Sequence, residues 1–274
     1  MPHISSNSLE GVGFGAGYAQ TQDNVCLLAE SFVKAASERA KYFGPGDNDA
    51  NIISDFSYKA LDIMGGAERE YALISAESRA LLDGFTAGYN QYVSETAAAD
   101  LPVQCNGAPW VKPIRPQNLL AYYRIVGQYA SGDRFASGAV FSAVPPGVSP
   151  LPSTSMDSAT LHLQELGSQE HTSASLQDPA RSATPFASVA DNARLAALAQ
   201  PDTKHDTIGS NAWGIGSSLT EGGRGALLAN PHFPYTGSRR LYQMHMSIPG
   251  YLNVNGAGLI GTALPLISFN DNLA

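Results

Sequence analysis

The chain has 274 residues, of which 15% are charged and 43% hydrophobic, and it carries a formal net charge of −8. That length provides one large domain or two small ones, with ample material for a buried core. An acidic balance without a Lys/Arg stripe excludes a nucleic-acid surface, and no apolar run reaches the roughly twenty residues that span a bilayer. The polar opening Met1-Pro2-His3-Ile4-Ser5-Ser6 is no signal peptide.

In chain order, the first signal is Gly11-Val12-Gly13-Phe14-Gly15-Ala16, which superficially fits a dinucleotide fingerprint. Such a site needs a buried strand before it, and Ser5-Ser6-Asn7-Ser8-Leu9-Glu10 is too polar to be one. Over residues 18–43 the apolar positions Val25, Leu28, Phe32 and Ala36 recur at spacings of three and four, predicting an amphipathic helix that Gly44-Pro45-Gly46 ends. A second helix is predicted over 67–96, with Leu82, Phe85, Tyr89, Tyr92 and Val93 on one stripe. Glu68, Glu70 and Glu77 lie toward its start, as the helix dipole favours. A third begins at Pro116 and continues through Tyr122, Val126 and Tyr129. The composition of Cys26 and Cys105 fits one disulfide or two buried thiols, and neither sits at metal-ligand spacing, so no metal is expected.

Residues 145–207 are rich in Ser, Ala, Pro, Thr, Gln and Asp and hold one aromatic, Phe186, which predicts a loop, linker or removable spacer. His162, His171 and His205 lie there without metal spacing. After it the texture turns to strand. Tyr242, Met244, Met246 and Ile248 alternate with Gln243, His245 and Ser247, the two-residue period of a half-buried strand. Segments 212–215, 225–229, 251–254 and 264–269 are further strand candidates between Gly and Pro turns. The chain therefore reads as α+β, helical before the linker and stranded after it.

At that junction stands Gly209-Ser210-Asn211-Ala212-Trp213, followed by Asn230-Pro231-His232-Phe233. A serine hydroxyl needs a base, and an amino-terminal serine has one in its own α-amine, which titrates at about 7.7–8.0. Gly-Ser also occurs at Gly167-Ser168, Gly216-Ser217 and Gly237-Ser238, so the pair alone is only a turn signal. No GxSxG elbow is present, which disfavours a classical α/β-hydrolase.

The run Ile208-Gly209-Ser210-Asn211-Ala212-Trp213, with Leu227-Leu228-Ala229-Asn230-Pro231-His232-Phe233-Pro234, resembles the β-chain start of the penicillin acylase family of N-terminal nucleophile hydrolases. Residues 13–24 are similar to that family's glycine-rich entry into its first long helix, and Gly107-Ala108-Pro109-Trp110-Val111 also fits. Within the family the likeness is greatest to the acyl-homoserine lactone and aculeacin-type acylases.

The resemblance implies an αββα sandwich and a precursor that cuts itself between Gly209 and Ser210. Residues 1–150 would form a helical α-chain region, 151–209 a spacer propeptide, and 210–274 the start of a β-chain, giving an α/β heterodimer. Ser210 would be the nucleophile, His232 a second catalytic residue and Phe233 part of the acyl pocket. Asn230 is expected to shape a turn. Family members are usually exported, which implies a periplasmic or secreted protein with Cys26 and Cys105 paired. The implied substrate is a small acyl amide, with no cofactor, no nucleic acid and no membrane span.

The chain departs from the family pattern at both ends. It opens on Pro2-His3-Ile4, where an earlier strand is expected, and it ends at Ala274, before the expected oxyanion donor and its companion asparagine. The sandwich is therefore expected to be incomplete and this segment inactive alone. Two further readings are β-lactam or cyclic-lipopeptide deacylation and, in another class, a noncatalytic relic or interaction module.

Overall fold

The computed structural model describes residues 1–128 and 209–274; the expected spacer, Tyr129 and His162, His171 and His205 lie outside them. In chain order the elements are strand β1 (His3–Ser5), helices α1 (Leu9–Ala35), α2 (Arg39–Phe43), α3 (Ala50–Ala60), α4 (Ile63–Glu70), α5 (Ala76–Glu95) and α6 (Pro116–Gln128), then strands β2 (Gly209–Ile215), β3 (Ala226–His232), β4 (Leu241–Ile248), β5 (Leu252–Leu259) and β6 (Ile267–Phe269). One sheet has the order β1-β4-β5-β6, with β1 parallel to β4 and the other pairs antiparallel; β2 and β3 form a separate hairpin.

The first helix starts well before the expected residue 18. Ser8 caps it by accepting a hydrogen bond from the Gly11 N–H at 3.0 Å, so the glycine-rich run is helix rather than an entry to it. Glycine is a poor helix former, and the reason it is used here is tertiary. A Cβ at Gly13 would stand 2.6 Å from the Leu81 carbonyl oxygen, and one at Gly17 2.1 Å from that of Phe85. The facing helix answers in kind: a Cβ at Gly84 would meet the Glu10 carbonyl oxygen at 2.0 Å, and one at Gly88 that of Phe14 at 2.1 Å. Glycines one turn apart on both partners thus bring α1 and α5 backbone to backbone.

The 18–43 helix also breaks near its end. Ser37 has φ 58°, and α2 resumes the helical path as far as Phe43, where Gly44 with φ 71° stops it as expected. The 67–96 helix is two helices, separated by a turn after Glu70; Ser75 restarts the second by accepting from the Ser78 N–H. Neither α3 nor β1 has a counterpart among the predicted elements. The strand β1 occupies the start of the chain and pairs His3, Ile4 and Ser5 with His245, Met246 and Ser247.

The alternation over 242–248 gives β4, with Met244, Met246 and Ile248 buried. They face a core of Leu28, Phe32, Phe85, Tyr89, Leu119, Tyr122 and Ile125 from the helices. Helical and stranded regions are locked by buried polar groups at the end of β5. Gln20 is wholly buried and donates to the Thr262 carbonyl at 2.9 Å while accepting from the Gly261 N–H at 2.7 Å. Tyr122 donates its hydroxyl proton to the Ile260 carbonyl at 2.6 Å, and the Tyr123 hydroxyl accepts from the Ala263 N–H. Gly261, at φ 95°, lies under the Tyr122 ring, where a Cβ would come within 2.6 Å of it. At Asn24 the α1 backbone departs from helical geometry; the Asn24 amide bonds the Gln20 carbonyl, and Arg240 of the strand region bonds its Oδ1.

Cys26 and Cys105 are disulfide-bonded, with Cα atoms 5.5 Å apart. The bond lies beside a second small core, in which Val25, Leu101 and Cys105 pack with Tyr92, Trp110 and Val111. It closes a sequence separation of 79 residues. In the chain-entropy account a loop of that size contributes about 4 kcal/mol. Cys26→Ser with Cys105→Ser is therefore expected to lower unfolding free energy by that order in a urea titration, and a reductant should produce the same loss in the parent protein.

Candidate active site

The hairpin pairs Gly209 with His232, Ser210 with Pro231, Asn211 with Asn230, and Trp213 with Leu228. Residues 230–232 are therefore strand, not the expected turn and loop. Proline is tolerated because of where it falls: without an N–H, Pro231 can face Ser210 only as a pair that exchanges no ladder hydrogen bonds. The Ser210 N–H is accordingly turned away from β3.

Directly opposed residues share a face of a hairpin, and successive residues alternate. Asn211, Asn230, His232, Trp213 and Leu228 thus lie on one face, and Ser210 on the other. Ser210 and His232 are brought within one residue of register, with the serine hydroxyl and the imidazole on opposite sides. The Ser210 Oγ–H donates to the Gly209 carbonyl oxygen at 2.6 Å. On the other face, His232 Nε2 is 3.3 Å from Asn211 Nδ2 and 3.2 Å from Asn230 Nδ2. The Nδ1 end of the ring lies beside Gly209, where an added Cβ would approach it to 3.3 Å.

Every residue of β2 is solvent-exposed, Trp213 by 55%, and Phe233 just beyond β3 is half-buried. Sequence reasoning found Ser210, Gly209, His232 and Phe233 as a motif. It did not find Asn211, and it gave Asn230 a turn, because their meeting at His232 depends on strand register. His245 lies on β4 opposite His3, their Nδ1 atoms 3.2 Å apart. Among the described residues, no group of three or more His, Cys, Asp or Glu is placed to hold a metal ion, and no helix is long and apolar enough to cross a membrane.

The chain matches the Penicillin amidase family over residues 1–274 and belongs to it. The family is one of amide hydrolases with the N-terminal nucleophile hydrolase fold, and the mixture of packed helices and strands agrees with that fold. Among its curated relatives, the chain is 36% identical to the acyl-homoserine lactone acylase PvdQ of Pseudomonas fluorescens (strain Pf0-1), and 35% to that of Pseudomonas syringae pv. tomato (strain ATCC BAA-871 / DC3000). It is 33% identical to aculeacin-A acylase of Actinoplanes utahensis. Each alignment covers 100% of this chain but only 31–32% of the relative, so the chain spans about a third of the length of the proteins it matches.

Proposed function

We propose that this chain belongs to an N-acyl amide hydrolase that matures by cutting itself before Ser210 and then uses the new amino-terminal serine as its nucleophile. The single observation that carries the reading is the Ser210 hydroxyl hydrogen-bonded to the carbonyl of the bond to be cut. From there Oγ attacks the Gly209 carbonyl carbon, the C–N bond breaks as the Ser210 nitrogen takes a proton, and an ester remains. Water cleaves the ester, leaving a Gly209 carboxylate and a free Ser210 amine. Glycine before the serine offers no side chain to obstruct the attack. Once the amide bond is broken, the Ser210 nitrogen no longer shares its lone pair with a carbonyl, and the liberated amine can act as the base.

In turnover the same Oγ attacks the substrate amide carbon. The amine accepts the hydroxyl proton, directly or through a water, and returns it to the leaving amine. A second attack, by water, frees the acid. Residues 1–150 then form the α-chain region, 151–209 the spacer and 210–274 the start of the β-chain of a heterodimer. The disulfide accords with an exported, oxidising location.

The substrate assigned is an acyl-homoserine lactone, cleaved to a fatty acid and the lactone amine. Support comes from the relatives bearing that name and from the absence of charged residues beside the serine: neither β2 nor β3 carries Lys, Arg, Asp or Glu, and Phe233 follows directly. The aculeacin-A acylase relative supports a second reading, deacylation of a cyclic lipopeptide. Each methylene buried is worth about 0.8 kcal/mol, close to fourfold in kcat/KM. A series of acyl-homoserine lactones is therefore expected to show kcat/KM rising steeply from short to medium chains. A flat profile with preferred cleavage of penicillin G would replace the fatty-acyl assignment with a β-lactam one.

A further inference from the structure

We infer that Asn211 and Asn230 are positioning residues for His232, fixing the tautomer with the proton on Nδ1 and the ring laid along the Ser210 backbone. The inference rests on the proposed roles of Ser210 and His232 and assigns the device that would make His232 useful. Asn211 and Asn230 oppose each other across the hairpin, and His232 follows two residues along β3 on the same face. Their amide nitrogens reach Nε2 at 3.3 and 3.2 Å. An amide nitrogen only donates, so Nε2 must accept, and a neutral imidazole that accepts at Nε2 carries its hydrogen on Nδ1. That Nδ1 end is the one beside Gly209. With one end at Gly209 and the other at Asn211, the ring runs past the backbone of Ser210 between them.

The Nδ1–H is left as a fixed donor beside the Gly209–Ser210 bond, on the face away from the serine hydroxyl, where it can hold a water against the amine that cleavage frees. The arrangement also explains amides rather than carboxylates at 211 and 230: a carboxylate would accept from Nε2–H and reverse the tautomer.

The test uses the full-length protein carrying this chain. Neutron diffraction of the deuterated parent should place the His232 deuteron on Nδ1; a deuteron on Nε2 would overturn the inference without any mutation. In parallel, Asn211→Asp with Asn230→Asp should lower kcat at neutral pH about tenfold or more while leaving KM within about twofold. The acid limb of its kcat profile should move to higher pH by about one unit or more. Asn211→Ala with Asn230→Ala, which frees the ring without charging it, should lower kcat with a smaller displacement of that limb. Ser210-dependent turnover with unmoved profiles in both variants would overturn the inference alone, whereas turnover surviving Ser210→Ala would overturn the underlying assignment of the nucleophile.

Discussion

Ser210→Ala is expected to reduce amide hydrolysis by at least about 10³-fold and to leave the precursor as one uncut chain. Both losses have one cause, because the same oxygen makes the covalent intermediate in maturation and in turnover. The substitution removes one oxygen from an exposed hairpin residue, so folding stability should stay within about 0.5 kcal/mol of the parent. That separation makes the result interpretable: full stability with no turnover and no cleavage isolates chemistry from fold. Ser210→Cys retains a nucleophile at the position and is expected to keep some cleavage. Assays are gel mobility for the uncut chain and release of free homoserine lactone for turnover; an Ala variant that still cuts and turns over would remove Ser210 from the mechanism.

The second large effect is structural. Gly17→Leu or Gly84→Leu should each cost about 4 kcal/mol or more, the range in which single substitutions betray one strong mechanism. The new Cβ meets a backbone carbonyl oxygen of the facing helix at 2.1 and 2.0 Å respectively, and backbone, unlike a flexible side-chain end, cannot swing aside. The helices must part, and Val12, Ala16, Leu82, Phe85 and Tyr89 would lose contact. Gly127→Ala, exposed on α6 with no atom of the described residues within 4 Å of the added methyl, is the control and should leave stability unchanged or slightly higher. Equal melting of all three variants in denaturant would contradict close α1–α5 packing.

These glycines also mark the limit of what the chain discloses on its own. Their density was visible, and the family resemblance made the run an entry to the first helix; intrinsic propensity also reads glycine against helix, and only the facing carbonyls of α5 show the run to be a packing face. The strand β4 was legible because its alternate residues bury Met244, Met246 and Ile248, while Gln243 before them is exposed and His245 and Ser247 between them are only partly buried. By contrast β1 is three residues long, and its partner lies at the far end of the sequence, so no local pattern marks it. Helix α3 buries Ile53 and Ser57 and little else, too sparse a stripe to register.

At the site, residue types carried the signal and register did not. Gly209-Ser210 and Asn230-Pro231-His232 stood out as motifs, and proline suggested a loop at 231. Pro231 instead occupies the one kind of ladder position that needs no N–H, which leaves Ser210 N–H free and sets His232 opposite Gly209. The approach of Asn211 to His232 follows from that pairing and has no trace in sequence spacing, whereas Asn230 and His232 share a face through their two-residue spacing.

The central claim is that Ser210 becomes an amino terminus. Intact-mass spectrometry with amino-terminal sequencing of the purified full-length gene product tests it most directly. The account predicts two chains, the carboxyl-terminal one beginning Ser210-Asn211-Ala212-Trp213 with an unblocked α-amine. A fully active protein recovered as a single chain with the Gly209–Ser210 bond intact would contradict it.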